Sequence, residues 1–153
     1  MEEMIKFIVF KLKNQSYGVD VQQVLSIERT QEITAVPRTS AFIKGVIQLR
    51  GEMTPIIDLK ERLQLGETEK TDANRILVVQ LDDIQVGLIV DSASEVIDID
   101  PAVIEPAPKI IGEIQETFLK GVAKLEERLL ILLDLEKILD FNETNEVREI
   151  IEE

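Results

Sequence analysis

The sequence predicts a mainly β protein made of two tandem copies of a small barrel packed on each other, with a few short helices. Three observations predict it. The chain has 153 residues, 44% of them hydrophobic and 31% charged, which suits a packed core and is too apolar for disorder. Short Val-, Ile- and Leu-rich runs alternate with turn residues at close spacing, the pattern of small closed sheets. Two blocks of sequence also recur in the same order.

The first block is VFKLKNQSYGVDV, from Val9, against VVQLDDIQVGLIV, from Val78. Val9, Leu12, Gly18 and Val21 return as Val78, Leu81, Gly87 and Val90, at an offset of 69. The second is GVIQLRGEMTPIIDLKERL, from Gly45, against GVAKLEERLLILLDLEKIL, from Gly121. Gly45, Val46, Leu49, Asp58, Leu59 and Leu63 return as Gly121, Val122, Leu125, Asp134, Leu135 and Leu139, at an offset of 76. The second copy therefore has a longer connection, which contains Pro101, Pro106 and Pro108. Ordered recurrence over most of the chain indicates duplication. The expected units are 6–67 and 75–140, with exchange of terminal strands allowed, a polar seam at Thr68–Ala73, and an acidic tail over 142–153. One unit alone buries too little surface to be stable, so the two should pack together.

Within each unit, Ile5–Lys13 mixes alternation with a continuous apolar run and reads as a strand covered on one or both faces. Asn14-Gln15-Ser16 is turn chemistry, and Tyr17–Val21 is the returning strand. Val46–Leu49 and Met53–Ile57 flank the hairpin tip Arg50-Gly51-Glu52, where glycine supplies positive φ. The second copy puts Glu126-Glu127-Arg128 there. Asp58 and Asp134 precede short Leu-rich charged stretches and suit helix N-caps. Val24–Glu28, Thr34–Val36 and Ala93–Ile99 carry no firm assignment. In the tail, Val147, Ile150 and Ile151 suggest a weak amphipathic helix with a solvated acidic face.

Composition excludes several kinds of chemistry. The chain has no His, no Cys and no Trp. Histidine-dependent triads, thiolate nucleophiles, disulfides and Cys/His metal sites are therefore absent. With 17 Lys+Arg against 30 Asp+Glu, the net charge of −13 opposes binding to nucleic acid. No apolar stretch reaches the roughly 18–20 residues of a membrane span, so a cytoplasmic protein with no membrane insertion is expected. No glycine-rich phosphate cradle occurs. A carboxylate-dependent hydrolase would draw on Asp82-Asp83, Asp98 and Asp100. The first pair reads as a hairpin turn, however, and Asp98-Ile99-Asp100 lacks the glycine and later ligands of a calcium loop. No catalytic residue, metal or cofactor is expected. Arg50 stands out as a cation at a loop tip of an acidic protein, and its counterpart Glu126 has the opposite sign. Loop tips on rigid sheets are where binding residues concentrate.

The run Phe42-Ile43-Lys44-Gly45-Val46-Ile47-Gln48-Leu49-Arg50-Gly51, followed by Pro55-Ile56-Ile57-Asp58-Leu59, resembles the signature of the CheW family of bacterial chemotaxis coupling proteins. Tyr17–Val21, Gly87–Asp91 and Leu129–Lys137 match further family blocks, so the resemblance runs from about Lys6 to Leu139. It implies two SH3-like five-stranded β barrels around a shared core. It also implies a non-enzymatic adaptor that binds the cytoplasmic helical tip of chemoreceptors (methyl-accepting chemotaxis proteins) and the regulatory domain of the histidine kinase CheA. The adaptor would be monomeric when free and recruited to membrane-associated receptor arrays. In the family the receptor uses the groove between the barrels, and the kinase uses other barrel surfaces. On matching positions, the resemblance implies a receptor-side set of Val24, Gly45 and Arg50, with Ser26, Ile27, Glu28 and Gly51 beside them. The two glycines would act by shaping the backbone. Ser26 stands where the family often has Glu, with Glu28 a substitute two residues on, and Gln48 replaces a common Asn. The motif assigns no kinase-facing residues, and Val86 and Leu88 read as core. A stand-alone adaptor is expected from Met1, the short N-terminus and the acidic C-terminus. The alternative is a CheW-like regulatory module of a larger kinase or of a receiver-fused adaptor.

Overall fold

Strand β1, Ile5–Leu12, explains the architecture, because both of its faces are buried. Phe7 and Val9 enter one apolar cluster, while Ile8, Phe10 and Leu12 enter another. Its repeat counterpart β6, Arg75–Leu81, does the same: Ile76 and Val78 face one cluster, and Leu77, Val79 and Leu81 the other. A strand with period-two alternation that is apolar on both sides must lie between two cores. The computed structural model describes residues 3–37, 39–106, 110–111, 114–126 and 128–152. Pro108 of the long connection, Glu127 of the second hairpin tip and Met1 lie outside the described residues.

Chain order continues from β1 through β2 (Gln15–Asp20), β3 (Val24–Arg29), β4 (Ile43–Leu49), β5 (Glu52–Asp58) and helix α1 (Leu59–Arg62) to β6. The second copy runs β7 (Ile84–Val90), β8 (Ser92–Ile99), β9 (Ile104–Glu105), a small β10–β11 ladder (Ile110–Ile111 with Ile114–Gln115), β12 (Leu119–Leu125), β13 (Arg128–Leu133) and helix α2 (Phe141–Glu152). One sheet has the order β3-β6-β7-β5-β4, the other β8-β1-β2-β13-β12-β9. The opening hairpin of each copy thus lies in the sheet of the other copy. The seam in the sequence is not the boundary between the sheets.

The two sheets correspond strand for strand. The hairpin β6–β7 sits between β3 and β5 just as β1–β2 sits between β8 and β13. The parallel pairs match in register: Ile56 lies opposite Gly87 in one sheet, and Leu132 opposite Gly18 in the other. Even the minor strand has its counterpart. Thr34 bridges Val46 in the first sheet where Glu105 of β9 pairs with Val122 in the second. The halves are two SH3-like subdomains. Five-stranded barrels were expected, but the hydrogen-bonded ladders remain open sheets, and β9 gives the second one a sixth strand. Each subdomain has its own small cluster, and a larger third cluster, with residues from both sheets, joins them.

The turns follow local chemistry. Lys13 and Asn14 form a two-residue β1–β2 turn with both φ positive, one position earlier than the sequence suggests, so Gln15 and Ser16 already belong to β2. Asp82 occupies the matching turn. Asp58 caps α1 by accepting from the Glu61 amide, and Asp134 caps the turn Leu135–Lys137 by accepting from the Glu136 amide. Thr34–Val36 contributes only the single bridge at Thr34. The acidic tail is the docked helix α2, with Val147 fully buried in the joint cluster. Val86 and Leu88 are fully buried core residues.

Candidate functional site

The β4–β5 hairpin closes through a two-residue turn, Arg50-Gly51, between the paired residues Leu49 and Glu52. Both turn residues have positive φ, 54° and 78°. That geometry is what such a turn requires, and Lys13 and Asp82 adopt it as well. The distinction of Arg50 is therefore its charge and position. Its Nη1 donates to the Leu25 carbonyl at 3.4 Å, which brings the hairpin tip against β3. Arg50 makes no ion pair among the described residues.

β3 is an edge strand paired only with β6, and a bulge interrupts the pairing between Val24 and Ser26. Alternation sends Val24, Ser26 and Glu28 to a half-buried face and leaves Leu25 and Ile27 exposed. Val24 packs on the joint cluster, as does its counterpart Ala93. The Ser26 Oγ is buried with no hydrogen-bond partner. The structure thus gathers Val24, Ser26, Ile27 and Glu28 on one strand and brings Arg50 and Gly51 to it. Gly45 lies elsewhere, at the bulge early in β4. Its φ is +144°, and a Cβ there would fall 2.1 Å from the Thr34 carbonyl oxygen. Gly121 faces the Glu105 carbonyl in the same way, at 2.7 Å. Gly45 holds the backbone of the hairpin and presents no side chain to a partner.

Motif reading missed a second surface, although the repeat contained it. At the offset of 69, Ile27 corresponds to Val96; at 76, Met53 corresponds to Leu129. All four side chains are exposed, Ile27 by 43% and Val96 by 53%. Large aliphatic residues kept outside at equivalent places of both copies are not forced there by packing. Beside Val96, Glu95 pairs with Arg128 and ties β8 to β13. The corresponding residues in the first copy are Ser26 and Glu52, so that subdomain lacks the ion pair.

Arg62 was also missed. Its guanidinium lies between the rings of Phe42 and Phe118, 5.2 and 4.8 Å from their centroids. These two rings are themselves repeat counterparts. The Nε donates to the Ile138 carbonyl at 2.6 Å, and Nη2 to Glu143 of α2 at 2.9 Å. Nothing local in the sequence links these four residues.

The carboxylates considered for hydrolysis have structural partners. Asp98 pairs with Lys6 at 2.9 Å, Asp100 accepts from the Ala102 amide, and Asp83 accepts from Arg148 at 2.8 Å. The Arg148 hydrogen bond holds the Asp83 carboxyl below the usual aspartate range. Among the described residues no group of three or more acidic side chains is placed to hold a metal ion, and no helix is long and apolar enough to cross a membrane.

A family model for the CheW-like domain matches residues 6–143. The chain belongs to the CheW family. Chemotaxis protein CheW of Bacillus subtilis is 43% identical over 135 residues, 88% of this chain and 86% of that protein. Chemotaxis protein CheW of Klebsiella aerogenes is 35% identical over 138 residues, 90% of this chain and 83% of that protein. The crystal structure of the scaffolding protein TtCheW from Thermoanaerobacter tengcongensis superposes with a TM-score of 0.84 at 36% identity, covering 94% of this chain and 92% of that one. The CheW family is one of non-enzymatic chemotaxis scaffolds, and this member is a coupling adaptor of that kind.

Proposed function

We propose that this CheW-family chain couples the cytoplasmic helical tip of chemoreceptors to the regulatory domain of the histidine kinase CheA, acting by binding alone. In this reading it is a monomer when free and is recruited from the cytoplasm to receptor arrays. The receptor-side face is built from Arg50 at the hairpin tip and from Val24, Ser26, Ile27 and Glu28 of β3. Gly45 and Gly51 set the hairpin backbone. The kinase-side face is the equivalent strip of the second subdomain, Val96 and Leu129.

The observation that carries this reading is the asymmetry in charge between two surfaces at corresponding places of the repeat. Both copies keep an exposed aliphatic pair, but only the first adds a cation with no ion-pair partner among the described residues; Glu126 takes that place in the second. Exposed apolar side chains on a rigid sheet suit the burial of a partner's aliphatic residues, and a single charge at the rim selects among partners. Duplication followed by divergence at such a loop gives one scaffold two different binding ends. Modest contacts at each end gain from simultaneous engagement in an array.

Co-sedimentation with a receptor cytoplasmic fragment, with and without the kinase, tests the reading. Arg50→Asp is expected to weaken receptor binding at least about tenfold, or roughly 1.4 kcal/mol, while leaving kinase binding and thermal unfolding unchanged. Val96→Asp with Leu129→Asp is expected to do the reverse. Unchanged receptor affinity of a normally folded Arg50→Asp chain would remove Arg50 from the site.

A further inference from the structure

Helix α2 follows β13, the last strand of the six-stranded sheet, yet its side chains attach to the other subdomain. Glu143 meets Arg62, Glu146 accepts from Ser40 Oγ at 2.7 Å, and Arg148 donates to Asp83 in the β6–β7 turn. Val147 is fully buried, and Ile150 is partly buried against the joint cluster. The seat beneath it is a groove carrying a cation, with Arg62 held between two aromatic rings and aimed at a carboxylate of the helix.

The occupant fits this seat incompletely. A crevice of about 500 Å³ runs beside α2, lined by Leu81, Leu135 and Leu139 with four charged residues around them, and by Thr144, Asn145 and Arg148 of the helix. The helix is also weak by itself. It has 12 residues, no base in its last turn, and acids where the helix dipole favours cations. It is held by its seat more than by its own propensity. The seat lies beyond the Ser40 end of β4, whereas Arg50 lies past the other end, roughly 20 Å away along a seven-residue strand.

We propose that the α2 seat is a second docking site, separate from the Arg50 face, for an acidic amphipathic helix of a partner protein. That helix displaces α2, places a carboxylate on Arg62 as Glu143 does, and fills the crevice with a larger apolar side chain where α2 has Thr144. In the free protein α2 is the site's own competing ligand.

The probe is a fluorescent peptide of residues 140–152 carrying Thr144→Leu, titrated by anisotropy into the full-length chain. Binding is expected, and Val147→Asp in the protein, which expels the resident helix, should tighten it at least tenfold. Glu143→Gln in the peptide should weaken it at least fivefold, and Arg50→Asp in the protein should leave it unchanged. The proposal is overturned if the folded Val147→Asp chain does not bind the peptide, if Glu143→Gln makes no difference, or if Arg50→Asp abolishes binding. It falls as well if Val147→Asp collapses the amide NMR dispersion of both sheets, because α2 would then be inseparable from the core.

Discussion

Gly45 and Gly51 sit in the same hairpin and separate two reasons for glycine. At Gly51 φ is positive but no atom lies within 4 Å of an added Cβ, so Gly51→Ala is expected to cost only the backbone term, about 1 kcal/mol. At Gly45 a glycine-only φ coincides with a carbonyl 2.1 Å from the added carbon. Gly45→Ala therefore combines backbone strain with an overpacked contact that no side chain can relieve, and about 3 kcal/mol or more is expected. Urea unfolding of the two variants checks the difference, and equal losses would refute the steric account. Ser26 is expected to behave in the opposite sense. Its hydroxyl is buried without a partner, so Ser26→Ala removes an unsatisfied group and should raise stability by about 1 kcal/mol. A fall in the urea midpoint would show that the hydroxyl is satisfied in solution.

Among the secondary-structure pieces, strands were easier to read from sequence than α2. The β1–β2 and β4–β5 hairpins declare themselves through alternation and turn residues within about ten positions. α2 shows only a thin apolar stripe, because what secures it lies at Ser40, Arg62 and Asp83, far away in sequence. Its start was better marked: Asp140 and Glu143 form a reciprocal capping box, each side chain accepting from the other's amide. The Asp83–Arg148 contact gives α2 a pH dependence of known sign. Asp83 has its carboxyl lowered from the ordinary 3.8, chiefly by the Arg148 hydrogen bond. Its contribution to docking is thus complete above that ordinary value and is lost as pH falls through the lowered one. An NMR titration of the Asp83 carboxyl carbon should show a midpoint that moves back up in Arg148→Gln. A midpoint indifferent to Arg148 would mean that the contact does not persist in solution. Asp83 is exposed and Arg148 only half-buried, so the effect on global unfolding should be small.

Across the full chain, the repeat foretold two similar sheets, but periodicity alone does not say which hairpin enters which sheet. Both arrangements bury the same faces, and the choice depends on contacts between strands far apart in the chain, such as Ile56 with Gly87 and Tyr17 with Ile131. In the structure β1 pairs with β8, β2 with β13, β3 with β6, and β5 with β7, so each sheet takes strands from both copies. The joint cluster is built the same way, with Phe10 and Tyr17 from the first hairpin beside Leu77 and Leu88 from the second. Neither copy is therefore a folding unit. Ending the chain at Asn74 leaves β1–β2 without β8 or β13, β3 without β6 and β5 without β7, while the faces of both cores are exposed. The remaining Met1–Asn74 fragment is expected to be unfolded or aggregated as a monomer, with amide NMR signals confined to the random-coil range. One arrangement would restore every ladder: two fragments, each lending its hairpin to the sheet of the other. Light scattering must therefore accompany the spectrum. A dispersed spectrum from a species of monomer mass would show that one copy holds its own core, and the interleaved account of stability would be wrong.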